Sequence, residues 1–283
     1  MTVDPALAVL LGALADEGAG FDLAAARAGL DAFAAAVGAG APEVPWEQDR
    51  VAGVPVRRYL PPGPPRAPEL VWLHGGGWVT GGLAAVDPLC RSIVARTGAP
   101  VTSVGYRLAP EHPFPAALDD AVAVLAELGG SVAAGGDSAG AGLAAAAAAQ
   151  VQARALVLVT PLLDATLSRP SVTRLGSGYG LTRAALERFV ALYLAGADPR
   201  DPRCSPLLGD VSRLPPTVVL TAELDPLHDE GEAYAERLRQ AGIPLAHRCF
   251  PSMVHGFVGM TALTPRAGEA LDWLVGELVR LTG

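Results

Sequence analysis

Ser138 stands where a serine could act as a nucleophile. It lies in Gly136-Asp137-Ser138-Ala139-Gly140, between the short strand-like run Ser131 to Gly135 and the Ala-rich, helix-forming stretch Ala141 to Gln150. Glycines on both sides let the backbone turn sharply, and the serine falls where the helix begins. Composition alone yields ~0.1 matches to G-x-S-x-G in a chain like this, so the motif decides little by itself. A second motif changes that. His74-Gly75-Gly76-Gly77 follows the apolar run Glu69 to Leu73, and its chance occurrence is ~0.01.

A serine hydroxyl is a weak nucleophile near neutral pH. It needs a base to take its proton and an acid to orient that base. Where a nucleophile elbow is built on a strand–turn–helix, the chain order is serine, then acid, then histidine. Three histidines lie downstream of Ser138: His228, His247 and His255. His247 falls inside the last strand expected from the pattern, and His228 sits in the loop Asp225 to Asp229. His255 follows that last strand on a Gly-containing loop, at the carboxyl edge where ligands gather on such sheets. It is the favoured base. Asp225, at the carboxyl end of the preceding strand, is the favoured acid. Glu223, Asp164, Asp229 and Glu230 stay open as alternatives, the last two fitting the first turn of the next helix.

Acyl transfer also develops an oxyanion, which must meet preorganised N–H groups. Ala139, next to the serine, offers one at the helix start, and the Gly-rich loop offers others.

Parallel strands and helices are needed to hold these loops. From Leu70 onward the chain alternates short apolar runs with helical periodicity, the pattern of a mainly parallel sheet covered on both faces. Strands are expected at Glu69–Leu73, Val101–Gly105, Val132–Ala134, Leu156–Thr160, Thr217–Thr221 and Leu245–Phe250. Helices are expected at Pro88–Arg96, Pro115–Leu128, Ser138–Gln150, Arg183–Leu194, Asp229–Ala241 and Pro265–Leu281. Ahead of them come helices Pro5–Leu14 and Asp22–Val37, then strands Trp46–Val51 and Val54–Tyr59. Between Asp164 and Pro216 the alternation lapses, as an inserted segment would make it do.

Composition narrows the class. The 283 residues suit one α/β domain with a small elaboration. A net charge of −8 argues against a nucleic-acid partner. All 21 basic residues are Arg, and Lys and Asn are absent, which points to a GC-rich coding genome rather than to function. Cys90, Cys204 and Cys249 are far apart and show no C-x-x-C spacing, so no disulfide framework, metal or cofactor is expected and the compartment is read as cytoplasmic. The apolar segment Leu7 to Ala15 ends in the A-x-A-like Ala13-Leu14-Ala15. Asp4 precedes it and no basic residue does, so it is read as a surface helix rather than a signal peptide. No apolar run approaches a membrane span of ~20 residues.

Taken in order, His74-Gly75-Gly76-Gly77-Trp78, Tyr106 to Glu111, Gly136 to Gly140, Asp225 to Glu230 and His255-Gly256-Phe257 resemble the bacterial hormone-sensitive-lipase family of carboxylesterases. The resemblance runs from about residue 69 to 275. It implies an α/β-hydrolase fold: a mostly parallel central sheet with helices on both faces and a small helical cap. It implies Ser138 as nucleophile, His255 as base, Asp225 as acid, and an oxyanion hole at Gly76, Gly77 and Ala139. His74 and Glu111 would be scaffold residues that hold loops. Residues 1–40 would supply cap helices, and 41–283 the catalytic domain with a cap insertion at about 165–205. The chain departs from the family pattern at Ala141-Gly142, where Gly-Asn is common, and at Val86-Asp87, where His-Asp is.

The function expected is hydrolysis of small or short-acyl carboxylic esters through an acyl-enzyme. The partner is a small-molecule ester, and the sequence leaves a homodimer open. Two alternatives share the fold: an amide or lactone hydrolase on the same residues, and a non-catalytic small-molecule receptor. The resembling plant receptors lack the histidine found here as His255.

Overall fold

A computed structural model describes residues 2–14, 22–65 and 67–283. Eight strands form one sheet in the order β1-β2-β4-β3-β5-β6-β7-β8. They are β1 Trp46–Val51, β2 Val54–Tyr59, β3 Leu70–Leu73, β4 Val101–Val104, β5 Ala133–Asp137, β6 Leu156–Val159, β7 Thr217–Leu224 and β8 Leu245–Val254. β1 and β2 run antiparallel to their neighbours, and β3 to β8 are parallel. β3, β4 and β6 are buried along their whole length, as strands covered on both faces must be.

Helices α1 Pro5–Leu14 and α2 Leu23–Val37 precede the sheet. The sheet helices are α3 Asp87–Thr97, α4 Ala116–Leu128, α5 Ala139–Ala148, α8 His228–Gln240 and α9 Pro265–Thr282. Between β6 and β7 the chain carries the short α6 Pro170–Arg174 and α7 Arg183–Leu194. The sequence pattern finds α7 and misses α6, whose five residues are too few to show a helical period. Asp22 caps α2 by accepting the Ala25 N–H at 3.0 Å. Ala15, the last residue of the A-x-A-like tripeptide, lies outside the described residues, as do 16–21 of the first cap segment. Among the described residues no helix is long and apolar enough to cross a membrane.

Three strands end later than their patterns suggest, and all three ends position the site. β5, expected to stop at Ala134, continues to Asp137, directly before Ser138. β7 continues to Leu224, so Asp225 follows it directly. β8 continues through Pro251 to Val254, which brings His255 to its very end. A proline interrupts a central strand but is tolerated on an edge, and β8 is an edge strand. Its register against β7 shifts between Ala222 and Leu224, a bulge where Ser252 takes φ +65° and donates its N–H to Glu223 Oε2 at 2.7 Å.

Candidate active site

The elbow is a strained turn that its neighbours hold. Ser138 takes φ 55° and ψ −122°, outside the regions that residues with a Cβ favour, at a cost of about 1–3 kcal/mol. Its N–H donates to the Val159 carbonyl at 2.9 Å, and its own carbonyl accepts the N–H groups of Ala141, Gly142 and Leu162 at 3.0–3.3 Å. Close approach dictates Gly140: a Cβ there would lie 2.0 Å from the Leu73 carbonyl oxygen. That contact lets α5 begin against the end of β3.

The same packing brings the Gly-rich loop beside the serine. Gly76 and Gly77 take φ +113° and +62°. Among the described residues, no acceptor takes the amide N–H of Gly76, Gly77 or Ala139. His74 anchors the loop from below. Its Nδ1–H donates to the Gly75 carbonyl at 2.7 Å, its ring stacks on Tyr106 at 4.1 Å, and the Tyr106 hydroxyl donates to the His74 carbonyl at 2.7 Å. Burial pushes the His74 imidazole down to about 4, so it is neutral at physiological pH.

The ends of β7 and β8 complete the arrangement. His255 Nε2 lies 3.0 Å from Ser138 Oγ, and His255 Nδ1 lies 2.8 Å from Asp225 Oδ2. The other carboxylate oxygen of Asp225 accepts the Leu227 N–H at 2.8 Å. Asp225 is 1% exposed and Ser138 9%, while the His255 side chain keeps 15%, so solvent reaches the relay mainly at the imidazole. Burial opposes a charged His255, but the adjacent Asp225 charge, its hydrogen bond and the more distant Asp137 charge outweigh it. The net result is an imidazole raised above its ordinary value.

The other candidates are engaged elsewhere. Asp164 accepts from Thr166 and Ser168, Glu223 from the Ser252 amide, Asp229 from the Ser171 amide and Glu230 from the Leu163 amide. His247 meets Glu232 at 3.0 Å, and His228 meets the Ala222 carbonyl at 3.1 Å. Glu111 lies apart from Ser138 in its contacts: its carboxylate grips Arg27 of α2.

Two site residues escape the sequence reading. Asp137 accepts the Trp72 indole N–H at 3.0 Å and the Gly75 amide at 3.1 Å, which ties elbow to loop. Its place inside the elbow motif was the available signal. Arg27 has no motif around it. It donates to Glu111 at 2.8 and 2.7 Å and to the Val79 and Ala109 carbonyls at 2.9 and 3.1 Å. A cavity of about 160 Å³ opens beside His255, lined by Leu10 and Leu11 of α1, Phe33 of α2, and Tyr179, Leu181 and Met260.

A family model described as alpha/beta hydrolase fold matches residues 70–259. The chain belongs to that family. An ethyl acetate hydrolase of Pseudomonas putida is 42% identical over 80% of this chain and 78% of its own length. A carboxylesterase of Mycobacterium tuberculosis is 39% identical over 78% and 76%. Among solved structures, an esterase of the archaeon Pyrobaculum calidifontis matches with a TM-score of 0.91 at 31% identity, over 99% of both chains. An esterase from the bacterial hormone-sensitive lipase family matches with a TM-score of 0.92 at 27% identity over the whole of both chains. This α/β-hydrolase is thus a hormone-sensitive-lipase-like carboxylesterase, acting on small-molecule carboxylic esters.

The family's Gly-Asn after the elbow is Ala141-Gly142 here, and the packing gives a reason. A Cβ on residue 142 would lie 2.3 Å from the Leu162 carbonyl oxygen, so this α/β-hydrolase has no room for Asn on α5 at that point.

Proposed function

We propose that Ser138, His255 and Asp225 carry the ester hydrolysis. Ser138 Oγ attacks the ester carbonyl while His255 Nε2 takes its proton. His255 then returns the proton to the departing alcohol, leaving an acyl-enzyme. Water, activated by the same imidazole, releases the acid. Asp225 holds the Nδ1–H tautomer and stabilises the imidazolium. The amides of Gly76, Gly77 and Ala139 receive the oxyanion, and their lack of acceptors among the described residues supports that role. His74 and Glu111 act as loop supports, His74 beneath the oxyanion loop and Glu111 through Arg27.

The observation that carries the reading is the unbroken relay of 3.0 and 2.8 Å contacts from Ser138 Oγ through His255 to Asp225. We assign residues 1–40 and about 165–205 to a cap, because α1, α2 and the Tyr179–Leu181 loop line the cavity beside His255. Its modest volume and apolar walls suit a short acyl chain. We place the protein in the cytoplasm, a reading supported by three unpaired thiols. We assign the edge strand β8 as the place where a second copy of the chain pairs, and light scattering reads whether that homodimer forms.

Turnover of p-nitrophenyl acetate and butyrate by Ser138→Ala tests the assignment. The expected loss in kcat is about 10⁴-fold or more, with no label from a fluorophosphonate probe. Turnover near wild type removes Ser138 as nucleophile. A matched aryl amide, run beside the ester, measures how far the same residues extend to amides.

A further inference from the structure

His228, Glu232 and Cys249 form a mixed-donor cluster that the ester chemistry does not use. Cys249 and His247 alternate along β8 and so share one face. Thr221, the register partner of Cys249 on β7, shares it too. Over that face lies the start of α8, where His228 and Glu232 are four residues apart and therefore on one side of the helix. The result places a His228 ring nitrogen, a Glu232 carboxylate oxygen and the Cys249 sulfur within 4.8 Å of one another, all half-buried. Cys249 Sγ is 4.0 Å from His228 Nδ1.

We propose that these three side chains bind a thiophilic divalent cation, Zn²⁺ first among them. The donor set carries the choice. One imidazole, one carboxylate and one thiolate suit zinc, whereas Mg²⁺ and Ca²⁺ call for oxygen donors throughout. Tetrahedral zinc with bonds of about 2.0–2.3 Å sets its donors roughly 3.3–3.7 Å apart. With the donor atoms within 4.8 Å of one another, side-chain rotations that move them by about 1–1.5 Å bring them to that spacing. Neighbours already orient the ligands as outer-sphere partners do. Glu232 Oε1 accepts the Thr221 hydroxyl at 2.7 Å and faces His247 Nε2 at 3.0 Å, while His228 Nδ1 faces the Ala222 carbonyl at 3.1 Å. His247 therefore braces Glu232, and water takes the fourth position. On binding, the Cys249 thiol forms a sulfur–zinc bond and gives its proton to solvent. The bound ion ties the start of α8, just past Asp225, to the strand that ends at His255.

Chelator-treated full-length protein titrated with Co²⁺ alone and Zn²⁺ alone tests the site. The expected result is one Co²⁺ per chain with a thiolate-to-cobalt charge-transfer band, displacement by Zn²⁺, and a higher Tm with Zn²⁺. The band vanishes in Cys249→Ser and persists in Cys204→Ser. Glu232→Gln and His228→Gln weaken Zn²⁺ binding about tenfold or more, with circular dichroism confirming that each variant is folded. Alkylation of wild-type protein needs no substitution: Zn²⁺ slows iodoacetamide labelling of Cys249. Equal labelling with and without Zn²⁺ overturns the proposal. So does binding that survives in Cys249→Ser and disappears in His255→Ala, which would put the ion on the imidazole beside Ser138.

Discussion

Asp137 accepts the backbone N–H of Gly75 at 3.1 Å, so the residue before Ser138 fixes the loop that faces it. Elbow and Gly-rich loop come from segments more than sixty residues apart, and this contact sets their spacing. The same carboxylate accepts the Trp72 indole at 3.0 Å, and burial pushes it up to about 6. A group that must hold its proton to that pH leaves a signature in stability.

That signature opposes the one left by His74. The unfolded imidazole protonates below about 6.5 and the folded one only near 4, so the His74 contribution is present above pH 6.5 and lost as pH falls toward 4. Folded Asp137 keeps its proton up to about 6, against 3.8 ordinarily. Its contribution therefore favours the folded state at low pH and is lost as pH rises from 3.8 to 6. Each is worth about 3 kcal/mol, and in wild type they nearly cancel. Urea unfolding should find the wild-type advantage over Asp137→Asn falling by about 2 kcal/mol from pH 4 to pH 6.5. A difference that stays level with pH rejects the assignment.

The pH dependence of kcat/KM should follow His255. Its raised pKa places the midpoint of the acid limb above the ordinary histidine value of about 6.5, with activity rising as the proton leaves. A rate that is flat between pH 5 and 9 excludes His255 as the base.

Removing the charge beside it should move that midpoint. In Asp225→Asn the imidazole loses both the attraction and the hydrogen bond that raise it, and the acid limb shifts down. At neutral pH kcat falls about 10³- to 10⁴-fold. A limb that stays in place in the variant assigns it to another group.

Arg27 joins the N-terminal helices to the catalytic domain. Arg27→Ala removes four contacts, those to Glu111, Val79 and Ala109, and loosens α2, which carries Phe33 into the cavity beside His255. KM for short esters should rise about 3- to 10-fold with kcat little changed, and limited proteolysis before β1 should quicken. Glu111→Gln keeps the carbonyl contacts and should do less. An unchanged KM in Arg27→Ala separates this contact from substrate binding.

Gly142 tests the departure from the family's Asn. Gly142→Ala forces a Cβ toward the Leu162 carbonyl, whose own amide donates to Ser138. Chemical denaturation should show a loss of about 1–3 kcal/mol, and kcat should fall with it because the elbow shifts. A stability equal to wild type places the approach of α5 to Leu162 further away.

The order of chemical groups was written in the sequence: glycine loop, serine elbow, aspartate, histidine, each after an apolar run. Short buried strands declare themselves by continuous apolar residues, and turns by glycine, because both signals are local. The lengths of β7 and β8 were decided by the fold. An edge position and a bulge together let β8 run through Pro251, and that extension sets His255 against Asp225. The elbow motif marked Asp137 and Gly142 but not their partners, and nothing in the sequence marked Arg27. Each depends on which distant backbone group lies opposite, and that is set by how helices pack on the sheet rather than by any residue's neighbours in the chain. The sequence by itself determined which side chains could do the chemistry. Tertiary packing decided their distances, their protonation and the shape of the cavity, because these depend on burial and on contacts between segments far apart in sequence.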